Sequence, residues 1–196
     1  ADEVVVSLYH TIDAEKLHLH TEEVKALFAR NAILRSRAAR YIASAGSLLL
    51  DSRRAEACSA NFDKVRRYVK RLCARVLPRT EGTGTEELRL LSAVTDQGTI
   101  LFHETILALC ERVICLEDPC GAAAAALLPR LRDEAVARGY HVISCPCPLS
   151  PEKLDHLLIP ETGLAFVTSN SLHRVPLAGR AIHAQRFTAV SYTHLT

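Results

Sequence analysis

The spacing of hydrophobic positions divides the chain into a helical first part and a mixed second part. After Thr21, Glu22 and Glu23, residues typical of a helix start, apolar side chains recur in steps of three and four. This spacing predicts one face of a long helix. The face comprises Val24, Leu27, Phe28, Leu34, Ala38, Tyr41, Ile42, Ala45, Leu48 and Leu49. Gly46 lies inside this pattern and weakens it mildly.

A second helix is predicted from about Asn61 to Pro78, where the proline ends it. Its apolar residues follow a heptad-like spacing. They are Phe62, Val65, Val69, Leu72 and Val76. We expect the two helices to pair antiparallel as a long α-helical hairpin. The β-branched run Val4–Leu8, before the hairpin, predicts a short strand.

Beyond residue 88, short apolar runs alternate with helical segments, a pattern typical of a parallel sheet with crossover helices. A strand at Arg112–Leu116, a helix at Ala122–Arg138 and a strand at His141–Ser144 form a predicted βαβ unit. Leu164–Val167 is a further strand, and Asp96-Gln97-Gly98 predicts a hairpin turn. The predicted fold class is therefore α/β.

These patterns predict four segments. Residues 1–79 hold the extended segment and the helical hairpin, 80–88 form a linker, 89–190 form the α/β domain, and 191–196 are a sequence artefact. The linker has the composition Thr80-Glu81-Gly82-Thr83-Gly84-Thr85. A phosphate-binding glycine loop is the alternative there, but no predicted strand precedes it and no Lys follows the Gly-Thr-Gly.

Two features of the sequence concern the ends of the chain. Val190–Thr196 resembles the translation of a sequencing adapter, so this tail is left out of the fold prediction. The sequence contains no Met, from which we expect a piece of a longer protein.

Composition narrows the class of protein. Hydrophobic residues at 48% and charged residues at 23% are ordinary globular values and exclude a disordered chain. Seven scattered cysteines and no segment resembling a signal peptide favour free thiols, so we expect a cytoplasmic location. No apolar run approaches the roughly 20 residues that cross a bilayer, so no membrane partner is expected.

The predicted helices are rich in basic residues, which could attract an acidic partner or form a solvated face. These residues are Arg30, Arg35, Arg37, Arg40, Arg53, Arg54, Lys64, Arg66, Arg67, Lys70, Arg71 and Arg75. No aromatic residues alternate with them as on a surface that stacks nucleic-acid bases, which favours the solvated face.

The turn after the strand Arg112–Leu116 occupies the place of a phosphate loop in a P-loop domain, where a strand leads into a helix N-terminus. The vestigial loop consists of Asp118, Pro119, Cys120, Gly121, Ala122, Ala123, Ala124 and Ala125. Gly121 is its one remaining loop glycine, and alanines replace the Lys and the Ser or Thr that bind phosphate and Mg²⁺. Glu117 and Asp118 would repel an anion.

A second position agrees with this loss. Thr168-Ser169-Asn170 follows the later strand where a metal-holding carboxylate would be expected. Without the cation and the metal site, hydrolysis loses its main electrostatic support. We therefore predict no catalytic residues and no metal ligands in this chain.

Cysteines and histidines in the chain could in principle bind a metal or act as nucleophiles. Cys145 and Cys147, with His141 and His156 nearby, are of ligand type, but their spacing is wrong for the common zinc knuckles. Three further cysteines are expected to pack in the core as small apolar residues; these are Cys110, Cys115 and Cys120. A nucleophilic Cys120 at a helix start is opposed by Glu117 and Asp118.

One family resemblance emerges from these segments. Gly139–Glu161 with its Leu-Ile-Pro-Glu stretch, Leu164–Asn170, and Leu91–Thr95 together resemble a bacterial family of predicted ATPases with two P-loop halves in one chain. The resemblance covers Val4–Arg174 and includes the helical hairpin, which in that family lies between the halves. It implies a P-loop NTPase-like parallel sheet, with this chain covering the hairpin and the second, degenerate half.

The resemblance also implies ATP and Mg²⁺ as cofactors of the full-length protein, and the chain's departures from the motif imply none for this fragment. Two functions remain open. In the first, the α/β part is a non-hydrolytic regulatory or structural partner of an intact P-loop half that is missing here. In the second, the basic helical hairpin is an interaction arm for an acidic protein or a nucleic acid.

Overall fold

The computed structural model describes residue 7 and residues 11–57, 62–175 and 182–185. The predicted strand at Val4–Leu8, except for Ser7, and the segment 191–196 lie outside these residues. Internal contacts divide the chain into two units, residues 1–44 and residues 45–196.

Both helices predicted in the first part are present, and the first of them extends to Ala57, beyond Leu49 of the predicted face. Helix α1 is Ala14–Leu19, α2 is Thr21–Ala57, and α3 is Phe62–Val76. Asp13 caps α1, since its side chain accepts a hydrogen bond from the amide of Lys16.

The remaining elements are mostly strands, with two α-helices and one 3₁₀ turn among them. They are β1 (Thr85–Leu88), β2 (Ser92–Thr95), β3 (Gly98–Leu101), α4 (His103–Leu109), β4 (Arg112–Glu117), α5 (Ala122–Ala137), β5 (His141–Cys147), β6 (Ser150–Ile159), a 3₁₀ turn (Pro160–Thr162), β7 (Leu164–Ser169) and β8 (Ile182–Gln185). The predicted α/β class and the hairpin turn between β2 and β3 are thereby confirmed.

Six strands form one mixed sheet in the order β1-β5-β6-β7-β4-β8. Five of them are parallel, and β6 alone runs in the opposite direction. The sequence analysis missed β6, because Ser150–Ile159 was assigned to no element. The prediction of a parallel sheet is therefore corrected to a mixed one, in which β6 and β7 separate the two strands of the β4-α5-β5 unit.

The sheet is covered on both faces, which explains the continuous apolar runs of its central strands. In β4, Ile114 and Leu116 join a core cluster with Leu127 and Leu131 of α5. Val113 and Cys115, which alternate with them, join a second cluster with Ile106 of α4. The period-two alternation of a strand thus divides one apolar run between two cores.

Helix α3 belongs to the sheet domain. Val65, Val69 and Leu72 are buried in the same cluster as Leu128 and Leu131 of α5. The apolar face that was predicted to contact α2 in a hairpin therefore packs on α5. The periodicity identified the buried face correctly, but periodicity does not specify which element covers it.

The stretch 80–88 differs from the predicted linker. Residues 85–88 are strand β1, which pairs in parallel with β5 from Thr85 opposite His141. The amide of Thr80 donates a hydrogen bond of 2.9 Å to the carbonyl of Arg138. A Cβ on Gly84 would collide with the carbonyl of Val136. The glycines here allow close packing against the end of α5, so their role is steric.

Candidate functional site

The candidate site lies where the parallel strands β4 and β7 end and α5 begins. Ligands of open α/β sheets bind at this carboxyl edge. Because β6 is antiparallel, its first residues reach the same edge at which β4 and β7 finish. The site therefore combines the loop before α5 with side chains from the start of β6.

The side chain of Asp118 is buried inside the loop between β4 and α5. Its side chain is 1% exposed, and its two carboxylate oxygens accept hydrogen bonds from the amides of Gly121 (3.0 Å) and Ala124 (2.7 Å). These amides belong to the helix N-terminus that would bind a phosphate in a P-loop. Burial raises the pKa of Asp118 above its ordinary value, although these bonds and the nearby Lys153 oppose that rise. The carboxylate thus takes the position of a bound anion.

The other residues of the loop predicted to be vestigial lead from β4 into α5. Gly121 has a left-handed φ of +79°, which favours glycine. The residues from Ala122 to Ala125 form the first turn of α5, and the first three of them are buried. Pro119 accepts a hydrogen bond of 3.3 Å from the hydroxyl of Ser171 through its carbonyl.

Strand β6 brings a cation and a carboxylate to this loop. A Cβ on Gly121 would lie 2.6 Å from Nζ of Lys153, so the ammonium group stands directly beside the loop glycine. Lys153 in turn forms a buried ion pair with Asp155, whose side chain is 0% exposed. Burial would raise the pKa of Asp155, but Lys153, His156 and the hydrogen bonds with Lys153 and Cys147 together lower this pKa below its ordinary value.

A bulge in β6 explains why these residues meet. Cys145 pairs with His156 and the next residue, Pro146, pairs with Leu154, so Asp155 has no partner on β5. Proline lacks the amide hydrogen that a regular ladder needs, and an unpaired residue turns the side chains of a strand out of strict alternation. Pro146 therefore accounts for a break in the ladder beside the residues of the site.

Arg53 of α2 supplies a second cation. It is 7% exposed, and its guanidinium donates hydrogen bonds to Ser150 (2.5 Å) and to Glu152 (3.1 Å) at the start of β6. Its Cδ would lie 3.6 Å from a Cβ on Gly121. The C-terminal turns of α2 therefore contribute to the site, within the unit formed by residues 45–196.

Cys120 was expected to pack in the core, but the structure places it at the surface. It is exposed, whereas Cys110 and Cys115 are buried as predicted. The pKa of Cys120 is raised by burial of the thiol and by Glu56 and Asp118. The acidic surroundings thus oppose an activated thiol, although Glu56 replaces the predicted Glu117 as the main neighbouring charge. All six cysteines within the described part of the chain are free thiols.

The ligand-type residues around β5 do not form one group. His141 lies at the start of β5 and bonds Thr85 at 2.7 Å. Cys145 and Cys147, at the other end of the strand, are both buried. His156 instead groups with Asp155 and His173, neither of which was considered in the sequence analysis.

The sequence analysis therefore missed Arg53, Lys153, Asp155 and His173. Arg53 was identified only as one of many helical charges, and the others lie in or after the strand β6 that was not predicted. The short apolar run Leu157-Leu158-Ile159, which follows the alternating Lys153-Leu154-Asp155, was the signal for a strand.

Within the described residues, no helix is both long enough and apolar enough to cross a membrane. Comparison with known proteins gives no relative: no protein-family model, no curated protein and no solved structure matches this chain.

Proposed function

We propose that residues 45–196 act as a non-hydrolytic, P-loop-like half of a two-domain ATPase, in a regulatory or structural role toward an intact half. The observation that carries this proposal is the pair of hydrogen bonds from Gly121 and Ala124 to the carboxylate of Asp118. A nucleotide phosphate would need the same amides and would meet a negative charge.

The charges beside the loop support the same conclusion. Phosphoryl transfer needs a cation on the transferred group and a carboxylate that holds Mg²⁺. Lys153 and Asp155 are of the right types, but they are buried and paired with each other. Opening that pair would leave one buried charge uncompensated, which costs about 3–5 kcal/mol. The loop and the charges together favour a closed, inactive half.

Calorimetric titration of Mg-ATP into the whole chain tests this proposal. We expect neither measurable heat nor a thermal shift for the wild type, because Asp118 occupies the amides. The variant Asp118→Ala should bind phosphate weakly, since the amides then lack an acceptor. Micromolar binding of Mg-ATP by the wild type would show that the loop is open and would overturn the proposal.

The groove between α3 and α5 favours a second candidate, in which the basic helices bind an acidic partner. Arg66, Arg67 and Lys70 of α3 and Arg130 of α5 line this open groove of about 730 Å³. Asp133 and Glu134 of α5 line it as well and reduce its positive charge.

Charge reversal distinguishes the two candidates. Arg67→Glu with Lys70→Glu should abolish salt-dependent binding of a polyglutamate probe if the groove is the functional surface. The same double variant should leave the nucleotide titrations unchanged. If the wild type does not bind polyglutamate, the groove is a solvated surface and the second candidate is wrong.

A further inference from the structure

Within the described residues, six side chains carry buried polar atoms that have no hydrogen-bond partner, and three of these side chains are neighbours. Asp155 and His156 of β6 are both 0% exposed, and His173, in the segment after β7, is 5% exposed. The atoms without a partner are Oδ2 of Asp155, Nε2 of His156 and Nδ1 of His173. An unsatisfied buried polar group is destabilising, so three such groups side by side call for an explanation, such as a bound ion.

The three side chains converge on one point. One ligand-type atom from each residue lies within 4.8 Å of those of the other two. The two imidazole rings have centroids 5.1 Å apart and are tilted by 59°. The bulge at Asp155 brings this carboxylate to the neighbouring imidazole, which strict alternation along a strand would prevent.

Thr168 of β7 contacts all three residues. Its hydroxyl donates to the backbone carbonyl of Asp155 (2.6 Å), and its amide donates to Nδ1 of His156 (3.3 Å). Its carbonyl lies 2.9 Å from Nε2 of His173. His173 thus donates one ring N–H to a carbonyl and presents Nδ1 as a ligand, which is the usual arrangement around bound metals.

We infer that Asp155, His156 and His173 form a zinc-binding site, distinct from the closed phosphate loop. Two imidazoles and one carboxylate with an open fourth position are a donor set typical of zinc. Zinc bonds of about 2.0 Å place tetrahedral ligand atoms roughly 3.3 Å apart. The ligand atoms, which lie within 4.8 Å of one another, must therefore move together by up to about 1.5 Å when zinc binds.

A metal on His156 requires one change in the hydrogen bonds, because Nδ1 of this ring accepts a hydrogen bond from the amide of Thr168. Zinc on Nε2 requires the ring proton on Nδ1, and the long contact with the Thr168 amide then opens. Lys153 pairs with Oδ1 of Asp155 and leaves Oδ2 for the ion.

Cobalt titration of the EDTA-treated, dialysed whole chain tests the site, because Co²⁺ takes zinc sites and absorbs visible light. We expect one equivalent to bind, with tetrahedral ligand-field bands that Zn²⁺ abolishes by competition. His173→Gln should lower the affinity at least tenfold. The control His141→Gln changes a histidine outside the cluster and should bind as the wild type does.

Three results would overturn the inference. One is binding of much less than one equivalent by the wild type, a result that needs no variant to fold. Another is equal affinity in folded His173→Gln, with folding checked by circular dichroism. The third is an intense thiolate-to-cobalt charge-transfer band, which would place the metal on cysteines. None of these results depends on nucleotide binding, so the proposed function is judged separately.

Discussion

The carboxylate of Asp118 accepts a hydrogen bond of 2.7 Å from the amide of Ala124, six residues later in the chain. The same carboxylate accepts a bond from Gly121. A helix N-terminus has unsatisfied amides, and here a residue of the preceding loop satisfies two of them. The amides at the start of α5 are thereby satisfied from within the loop itself.

The first prediction concerns these hydrogen bonds. Asp118→Ala should lower the free energy of unfolding by about 1–3 kcal/mol, because two amides lose a buried acceptor. Urea unfolding measures the change. Adding phosphate should stabilise the variant more than it stabilises the wild type, since the anion can replace the carboxylate. The control Asp133→Ala removes an exposed carboxylate of α5 and should change the stability by less than about 0.5 kcal/mol.

The second prediction concerns the thiol of Cys120. Cys120 is an exposed residue whose thiol is partly buried. This partial burial and the neighbouring Glu56 and Asp118 raise the pKa of the thiol. Glu56→Gln removes one negative charge, so the pKa should fall and the thiolate fraction at pH 8 should rise. We expect iodoacetamide to modify Cys120 roughly two- to tenfold faster, as measured by site-resolved mass spectrometry. Equal rates in Glu56→Gln and in the control Glu111→Gln would contradict this electrostatic origin.

The third prediction tests the placement of α3 on the sheet domain. Leu72 is 3% exposed in the cluster shared with α5, whereas Leu27 of α2 is 57% exposed. Leu72→Ala should cost about 2–5 kcal/mol in urea unfolding, since it leaves a cavity in the core. Leu27→Ala should cost less than about 0.5 kcal/mol. Similar losses in the two variants would mean that the exposed face of α2 is covered in solution.

The fourth prediction concerns Gly46, where we expect an effect opposite in sign to that of helix propensity. Replacing a mid-helix glycine by alanine normally stabilises a helix by about 1 kcal/mol. Gly46 is buried, and a Cβ there would collide with the carbonyl of Leu149 in the turn between β5 and β6. Gly46→Ala should therefore destabilise the protein in thermal melts. The control Ser36→Ala, at an exposed position of the same helix, should be neutral or slightly stabilising.

Local signals in the sequence predicted most elements close to their observed bounds. The strand at Arg112–Leu116 is β4, and the helix at Ala122–Arg138 is α5, within one residue at each end. Periodicity and capping are local properties, since they depend on neighbours along the chain. They also identified the buried face of α3, although its partner was assigned wrongly.

Glycine shows where local reasoning is insufficient. Gly84 was interpreted as part of a flexible linker and Gly46 as a weak point in a helix. In the structure both glycines lie against the backbone of a distant segment, where a side chain would not fit. Glycine occurs both where the backbone is flexible and where two segments pack closely. The presence of a glycine in the sequence therefore does not distinguish these two roles.

The sequence by itself determined the α/β class and the strand–loop–helix unit of β4 and α5. Only the tertiary structure decided which side chains meet there. The reversed direction of β6 places Lys153 beside Gly121, and its bulge places Asp155 beside His156. These contacts join residues far apart in sequence through strand order and register, which long-range pairing determines and local periodicity does not encode.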